Sequence, residues 1–332
     1  MPTIINVLSL FSGIGAFESA LRRGGYDFRV INYCEIDRYA AKAYSQIHGI
    51  SEDYNLNDVC IVNPLLMDNV NLVTYGFPCQ DISIAGKQKG FKDTEGNRTR
   101  SGLFFEALRI IEFLQPEYAI AENVKALTGK KFTAEFETVL TSLDKAGYNN
   151  YWKVLNAKDF GVPQNRERVF IVSIRKDIDN GTFTFPEGRP LTLRVKDLLE
   201  PEVDEKFYIN SDRAKKLIEK ITAVKKYNYL LEPINAEKDG TARTLKAQYI
   251  KNSVANFEKT GTHGATGVVN TVHNVLRIRK LTPRECFRLM GFTDAEFDKI
   301  KGISNTQLYK MAGNSICVPV LEAIFRNLFE KE

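Results

Sequence analysis

Six short runs rich in β-branched and aromatic residues alternate with helical stripes through the first 175 residues, which restricts the chain to an α/β fold on a mostly parallel sheet. The strand runs are Ile4–Leu10, Arg29–Cys34, Asn71–Tyr75, Tyr118–Glu122, Tyr151–Leu155 and Val169–Ile174. Between them, Phe17–Arg23, Arg38–Ile47, Gly102–Phe113 and Thr133–Ala146 repeat apolar residues at helical spacing. Phe104, Leu108, Ile111 and Leu114 illustrate the stripe, and Gly147 stands where a helix C-cap is expected. After about Lys176 the rhythm changes. Pro186, Pro190, Pro201, Pro233 and a glycine-rich stretch around His263 interrupt shorter runs, which predicts a second, smaller domain. A helical pattern returns at Pro283–Met290, and Val318, Leu321, Ile324, Phe325 and Leu328 form the apolar face of a last helix that needs a partner surface on the first domain. The expected division is 1–176 completed by 300–332, with 177–299 as the second domain and hinge.

Composition narrows the class. With 332 residues, 43% hydrophobic and 26% charged, the chain can bury sizeable cores without disulfides, which excludes disorder and mini-protein scaffolds. No apolar window is long enough to cross a bilayer, and Ile4–Phe11 is interrupted by Ser9 and lacks a basic leader, so a soluble cytoplasmic monomer is expected. Five cysteines at wide spacings, no C-x-x-C and three scattered histidines fit a reducing compartment and predict no metal site. The net charge of +5 is unevenly spread: Met1–Val203 carries 24 basic and 26 acidic residues, Asp204–Glu332 carries 22 and 15. The basic C-terminal part fits contact with a polyanion.

The first strand runs into Phe11-Ser12-Gly13-Ile14-Gly15-Ala16-Phe17 and then a helix, a geometry in which glycines let backbone approach a ligand. Glu35, 20 residues beyond Gly15, ends the next strand, where a carboxylate can accept from ribose hydroxyls. The third glycine position of a dinucleotide turn is Glu18, whose charge would repel a pyrophosphate; this favours a nucleoside cofactor without phosphates, such as S-adenosyl-L-methionine, over NAD. An ordinary strand-to-helix turn carries the same glycines, so the pattern alone does not decide.

Phe77-Pro78-Cys79-Gln80 follows a strand, which puts Cys79 at the carboxyl edge of the sheet; Cys34, Cys60, Cys286 and Cys317 read as small buried hydrophobes. Ala121-Glu122-Asn123-Val124 ends another strand and Gln164-Asn165-Arg166-Glu167-Arg168 precedes a third, so a carboxyl and two guanidinium groups can converge on that thiol. In order, Phe11-Ser12-Gly13-Ile14-Gly15, Cys34-Glu35, Asn57-Asp58-Val59, Phe77-Pro78-Cys79-Gln80, Glu122-Asn123-Val124, Gln164-x-Arg166-x-Arg168, Leu281-Thr282-Pro283-Arg284-Glu285-Cys286 and Gly313-Asn314-Ser315 resemble the motifs of the bacterial DNA (cytosine-5) methyltransferases. Only about 177–274 is left uncovered.

The resemblance implies a Rossmann-like S-adenosylmethionine-dependent methyltransferase fold with a second, smaller target-recognition domain. It implies methyl transfer to carbon 5 of a cytosine flipped out of a specific duplex sequence, through a covalent Cys79 adduct. Glu122 would neutralise charge at ring N3, as a carboxyl kept protonated by burial or sharing a proton with the ring; Arg168 would bind the cytosine O2, Arg166 would orient Glu122 and the loop carrying Cys79, and Asn123 would fix that loop. Phe11, Gly13, Gly15, Glu35, Asp58, Pro78 and Asn314 would hold the cofactor. Gln80, Ser83, Lys87, Arg100, Gln164, Thr244 and Leu245 would meet double-stranded DNA. The segment Asp81–Ser101, with glycines at 86, 90 and 96 and with Lys87, Lys89, Lys92, Arg98 and Arg100, suits a mobile DNA-contacting loop; Thr94–Ser101 looks inserted, and Ala85 departs from the family's gap-filling residue. Thr244-Leu245 resembles a recognition signature, followed by Lys246, Gln248, Tyr249 and Lys251. A cognate restriction endonuclease acting on the same site without a stable complex is implied as a partner. The alternatives are an RNA (tRNA) cytosine-5 methyltransferase of the same fold, a non-catalytic DNA-binding relative, and a nicotinamide oxidoreductase, the last disfavoured by Glu18.

Overall fold

A computed structural model of the chain describes residues 4–67, 69–78, 100–223, 231–234, 241–251, 257, 265–272 and 275–330. Its contacts divide the chain into two compact units: Met1–Asn156 with Glu167–Glu187 and Val318–Glu332, and Ala157–Arg166 with Gly188–Cys317. These boundaries differ from those expected at 176/177 and 299/300. The chain stays with the first unit as far as Glu187, where Lys153 pairs with Glu187 at 3.1 Å and Asn327 Nδ2 donates to the Thr184 carbonyl at 3.1 Å. It returns only at Val318, and Ala157–Arg166 makes an excursion into the second unit that no composition shift announces.

The first unit rests on a six-stranded sheet. β1 (Ile5–Leu10), β2 (Phe28–Cys34), β3 (Leu72–Tyr75) and β4 (Tyr118–Val124) pair in parallel in the order β2-β1-β3-β4. β5 (Tyr148–Asn156) and β7 (Glu167–Arg175) extend it antiparallel, β7 beside β4 and β5 at the edge; β6 (Gln164–Asn165) lies in the second unit. Parallel strands covered on both faces read as near-continuous apolar runs, and all four residues of β3 are buried. α1 (Ala16–Arg23), α2 (Arg38–His48), α3 (Phe104–Leu114) and α4 (Thr133–Lys145) connect them. Asp37 starts α2 by accepting the N–H groups of Tyr39 and Ala40, and Gly147 follows α4 in the left-handed region at φ 100°. Phe104, Ile111, Val139, Val73 and Ile171 share one core. The C-terminal helix, Val318–Phe329, packs on α1: Phe17 meets Phe325 edge-on at 6.4 Å, and Arg23 pairs with Glu322 at 2.6 Å. Val318, Leu321, Ile324 and Phe325 are buried, whereas Leu328 is half-buried and Phe329 takes the inward place. The chain steps from β1 to β2 on one side and to β3 on the other, and this switch point puts a crevice at the carboxyl ends of β1 and β3. The architecture is Rossmann-like.

In the second unit β8 (Leu231–Ile234), β10 (Gly267–Val272) and β11 (Val275–Arg279) form an antiparallel sheet, and β6 pairs in parallel with β9 (Ala242–Arg243). The helix Asp212–Ala223 and the helix Asn305–Asn314 were not read from the sequence, while Pro283–Arg288 was. Thr282 and Glu285 form a capping box on that last helix, and Glu285 also takes two 2.8 Å bonds from Arg279 with neither side chain exposed. No helix among the described residues is long and apolar enough to cross a membrane.

Phe325→Ala is expected to lower unfolding free energy by about 3–5 kcal/mol in urea titration, because a fully buried ring leaves a cavity. Leu328→Ala should cost less than half of that; equal losses would contradict the packing described for this helix.

Candidate active site

The glycine turn follows directly from the end of β1. Phe11, Gly13 and Gly15 take left-handed φ values of 52°, 57° and 78°. The turn hangs on the end of β2: Ser12 N–H donates to the Cys34 carbonyl at 3.1 Å, and Gly13 N–H donates to Glu35 Oε2 at 2.8 Å. The two glycines are needed for different reasons. A Cβ on Gly13 would meet nothing within 4 Å, so its surface is open to a ligand; a Cβ on Gly15 would lie 2.0 Å from His48 Nε2, so Gly15 permits close packing against α2. His48 Nε2 lies 3.0 Å from the Ile14 carbonyl, which can only accept, and so Nδ1 accepts from Arg22 at 3.1 Å.

Glu35 is half-buried, and its other oxygen, Oε1, accepts Asp37 N–H at 2.8 Å. Asp58 caps a short turn by accepting Cys60 N–H on Oδ1 at 3.0 Å. Between the two acids, burial and then the charges of Glu35 and Asp58 push the Cys34 thiol up to about 12, so it stays protonated and donates to the Asn57 carbonyl at 3.2 Å. The Glu35 carboxylate is of the type that accepts from ribose hydroxyls, and Asp58 keeps Oδ2 for an amino group, so these acceptors fit an adenosine-bearing cofactor. Glu18 requires a correction. It does not face the turn with a charge but is fully buried beside Ser9 and Tyr44, where burial pushes its carboxyl up. Any preference against phosphate here therefore does not come from Glu18.

At the ends of β3 and β4, Phe77 is buried and Pro78 half-buried. Asn123 Nδ2 donates to the Phe77 carbonyl at 3.1 Å, and Asn123 Oδ1 accepts Val124 N–H at 2.8 Å, so this side chain fixes the backbone two residues before Cys79. Antiparallel pairing sets Val124 opposite Arg168, and Arg168 Nε reaches Glu122 Oε1 at 3.0 Å while Nη1 donates to the Glu167 carbonyl at 2.8 Å. The pair is mostly buried, with side chains 18% and 13% exposed. Cys79, Gln80, Ser83, Lys87, Ala85, the remaining lysines and glycines of that loop, and His263 lie outside the described residues; Arg100 opens the short turn Arg100–Leu103.

The remaining candidates belong to the second unit. Gln164, expected at DNA, is fully buried: its Nε2 donates to the Leu289 carbonyl at 2.6 Å and its Oε1 accepts Leu245 N–H at 3.0 Å. Leu245 is 3% exposed, a core residue rather than a contact for DNA, and Tyr249 is buried likewise. Thr244 is half-buried and donates to the Asn165 carbonyl; Lys246, Gln248 and Lys251 remain exposed. Arg166 donates to the carbonyls of Leu245, Gly313 and Ser315 at 3.0, 3.1 and 2.7 Å, a backbone-tying role the sequence did not suggest. A Cβ on Gly313 would lie 2.2 Å from Ala247 N, which accounts for the glycine of Gly313-Asn314-Ser315; Asn314 itself is exposed. Cys60 is exposed, contrary to expectation, because its turn points outward. Asn55 and His48, which support the cofactor turn and Glu35, escaped the sequence reading because single polar residues outside a motif carry no pattern. No cluster of metal-ligating side chains occurs among the described residues.

Residues 5–330 match the family described as C-5 cytosine-specific DNA methylase. Among relatives, the type II methyltransferase M2.ScrFI of Lactococcus lactis subsp. cremoris is 40% identical over 84% of this chain and 72% of its own length. The type II methyltransferase M.Bsp6I of Bacillus sp. (strain RFL6) is 34% identical over 98% of this chain and 99% of its own. The solved structure of the Entamoeba histolytica methyltransferase EhMeth covers 99% of both chains at a TM-score of 0.74 and 21% identity, a likeness of fold.

Gly13→Ala is expected to cost about 1 kcal/mol of stability from left-handed backbone alone, and Gly15→Ala about 3 kcal/mol once displacement of His48 is added. Equal thermal shifts would contradict the close approach. Gln164→Ala should destabilise the protein by about 1–3 kcal/mol by leaving the Leu289 carbonyl and Leu245 N–H unpaired; unchanged stability with altered DNA sequence preference would restore it as a DNA-reading residue.

Proposed function

The chain belongs to the C-5 cytosine-specific DNA methylase family and methylates carbon 5 of cytosine in DNA, using S-adenosylmethionine, and from that premise we propose how its residues divide the chemistry. The observation that carries the assignment is the Glu122–Arg168 pair, 3.0 Å apart, at the carboxyl end of β4, beside the strand ends that bear the glycine turn, Glu35 and Phe77-Pro78.

Gly13 lets the turn approach the cofactor, with Phe11 and Pro78 beside it, and Gly15 lets that turn pack on His48; Glu35 accepts from the ribose hydroxyls and Asp58 from the adenine amino group. Asn314 is proposed as a further cofactor residue on the strength of its motif. S-adenosylmethionine supplies an electrophilic sulfonium methyl group. Carbon 5 of cytosine is a weak nucleophile, so the Cys79 thiolate adds to carbon 6 and turns the ring into an enamine whose carbon 5 takes the methyl group as the sulfur–methyl bond breaks, leaving S-adenosylhomocysteine. Removal of the carbon 5 proton by a base then expels the thiolate and restores the ring. Glu122, held by Arg168, shares a proton with ring N3 and so neutralises the charge that develops there. With Nε on Glu122 and Nη1 on the Glu167 carbonyl, Arg168 has Nη2 for the cytosine O2. Arg166 holds the backbone around Gly313 and Ser315, and its part in orienting Glu122 and the Cys79 loop is carried over from its motif.

The base must leave the duplex to reach these groups, at a cost of a few kcal/mol. Gln80, Ser83, Lys87 and Arg100 are proposed to contact that DNA, and Thr244, Lys246, Gln248 and Lys251 to contribute to recognition of a specific duplex sequence. The type II designation of the relatives supports a cognate restriction endonuclease on the same site, without a stable complex. A monomer acting on DNA in the cytoplasm, at the nucleoid of a bacterial or phage-infected cell, is the setting proposed.

Duplex DNA carrying 5-fluorocytosine tests the mechanism, because fluorine replaces the proton whose removal releases the thiolate. A complex surviving denaturing electrophoresis is expected with the wild-type protein and S-adenosylmethionine, and none with Cys79→Ser. Methylation by Cys79→Ser, or no adduct on a verified site, would overturn the assignment.

A further inference from the structure

β2 is an edge strand, and on its open side the Asn55 backbone bridges Tyr33 in parallel, with Leu56 N–H donating to the Tyr33 carbonyl at 2.8 Å. The next N–H and C=O on that side, those of Glu35, are taken by one side chain. Glu35 N–H donates to Asn55 Oδ1 at 3.0 Å, and Asn55 Nδ2 donates to the Glu35 carbonyl at 3.0 Å. The same amide faces the other way as well: Asn57 N–H donates to Asn55 Oδ1 at 3.0 Å, and Asn55 Nδ2 donates to Asn57 Oδ1 at 3.2 Å. Two donors converge on the oxygen and two acceptors on the nitrogen, which fixes the amide's orientation, since a flipped amide would oppose all four. Asn57 Nδ2 returns to the Asn55 carbonyl at 3.2 Å, and Asn57 takes the left-handed φ of 58° that asparagine tolerates. Asp58 follows immediately and caps its turn on Cys60 N–H.

We propose that Asn55 is a positioning residue for the cofactor: its side chain extends the Asn55–Tyr33 bridge to Glu35 and sets the spacing between the ribose-binding carboxylate of Glu35 and the adenine-binding carboxylate of Asp58. This rests on the reading of those two acids given above, and goes beyond it by naming a residue that touches neither ribose nor base. Asn55 is half-buried, meets Glu35 through its backbone and reaches Asp58 by way of Asn57, so its effect must pass through the direction in which Glu35 leaves the chain. Alanine would leave the Glu35 peptide and the Asn57 N–H to water and free the carboxylate to wander from the turn. Aspartate would keep both accepting contacts and lose both donating ones.

Isothermal titration of S-adenosylhomocysteine into the full chain is the test, run on wild type, Asn55→Ala, Asn55→Asp, Glu35→Ala and the Asn55→Ala/Glu35→Ala double variant. Asn55→Ala is expected to weaken binding about tenfold and Asn55→Asp about threefold. In the Glu35→Ala background, removing Asn55 should add less than about twofold, since a residue acting through another is silent once that other is gone. Turnover should show a raised KM for S-adenosylmethionine with kcat held within about twofold. An analogue lacking both ribose hydroxyls should bind wild type and Asn55→Ala alike. Losses that multiply in the double variant, or wild-type affinity in Asn55→Ala, would overturn the proposal; if Asn55→Ala does not fold, wild-type affinity in Asn55→Asp overturns it. Failure of the wild-type protein itself to bind S-adenosylhomocysteine would instead strike at the reading of Glu35 and Asp58.

Discussion

Because β7 runs against β4, the amino end of one strand lies beside the carboxyl end of the other, and Arg168 arrives at the edge where Glu122 ends its own strand. A seventh strand laid parallel would carry that arginine to the far edge of the sheet. The reactive edge thus depends on a single reversal of strand direction. It gathers a carboxylate from β4, a guanidinium from β7, a turn from β1, an acid from β2 and the backbone of Phe77 from β3. Burial of the pair to 18% and 13% exposure strengthens the attraction and demands good geometry, which the ladder between the two strands enforces.

Much of the first unit was legible in the sequence because its signals are periodic. Four strand runs gained one to three residues at an end, as at Tyr148–Asn156 and Glu167–Arg175, where most of the added residues are polar and only partly buried, and two lost their first residue, as Ile5–Leu10 and Leu72–Tyr75. The candidate site was legible to the extent that motifs sit at strand ends. Gln164, Arg166 and Arg168 show where this stops. Spaced two apart they look alike in sequence, yet Gln164 and Arg166 turn into the second unit while Arg168 sits in the first, because the chain crosses between units at Glu167. Leu245 departs from its expected place for a related reason: a signature beside a recognition surface can be the packing beneath that surface. Leu328 and Phe329 exchanged roles because a helical stripe is wide enough to admit either.

Buried polar groups tie segments of the second unit together. Arg279 and Glu285 are both without exposure, and Glu285 also accepts N–H groups from Glu200 and Thr282 at 2.8 and 2.7 Å. Removing one partner of such a pair strands a charge, whereas a well-packed apolar pair would have held the same volume at no electrostatic cost. What the pair adds is direction: it ties β11 to the start of the helix at Pro283 and to the segment at Glu200 in one geometry. Arg166 does similar work with three carbonyls around Gly313, where the absence of a side chain lets two backbones approach.

The packing of Val318–Phe329 on α1 also has a consequence for the order of synthesis. Ile14, Phe17 and the rest of the glycine turn are made before the second unit, and the helix that covers α1 is made after it. While the second unit is being made the first therefore holds an unfinished core, and a compact second unit can form before the first is closed. A ribosome that stops short of Phe325 releases a chain with α1 uncovered, exposed to proteases rather than to substrate.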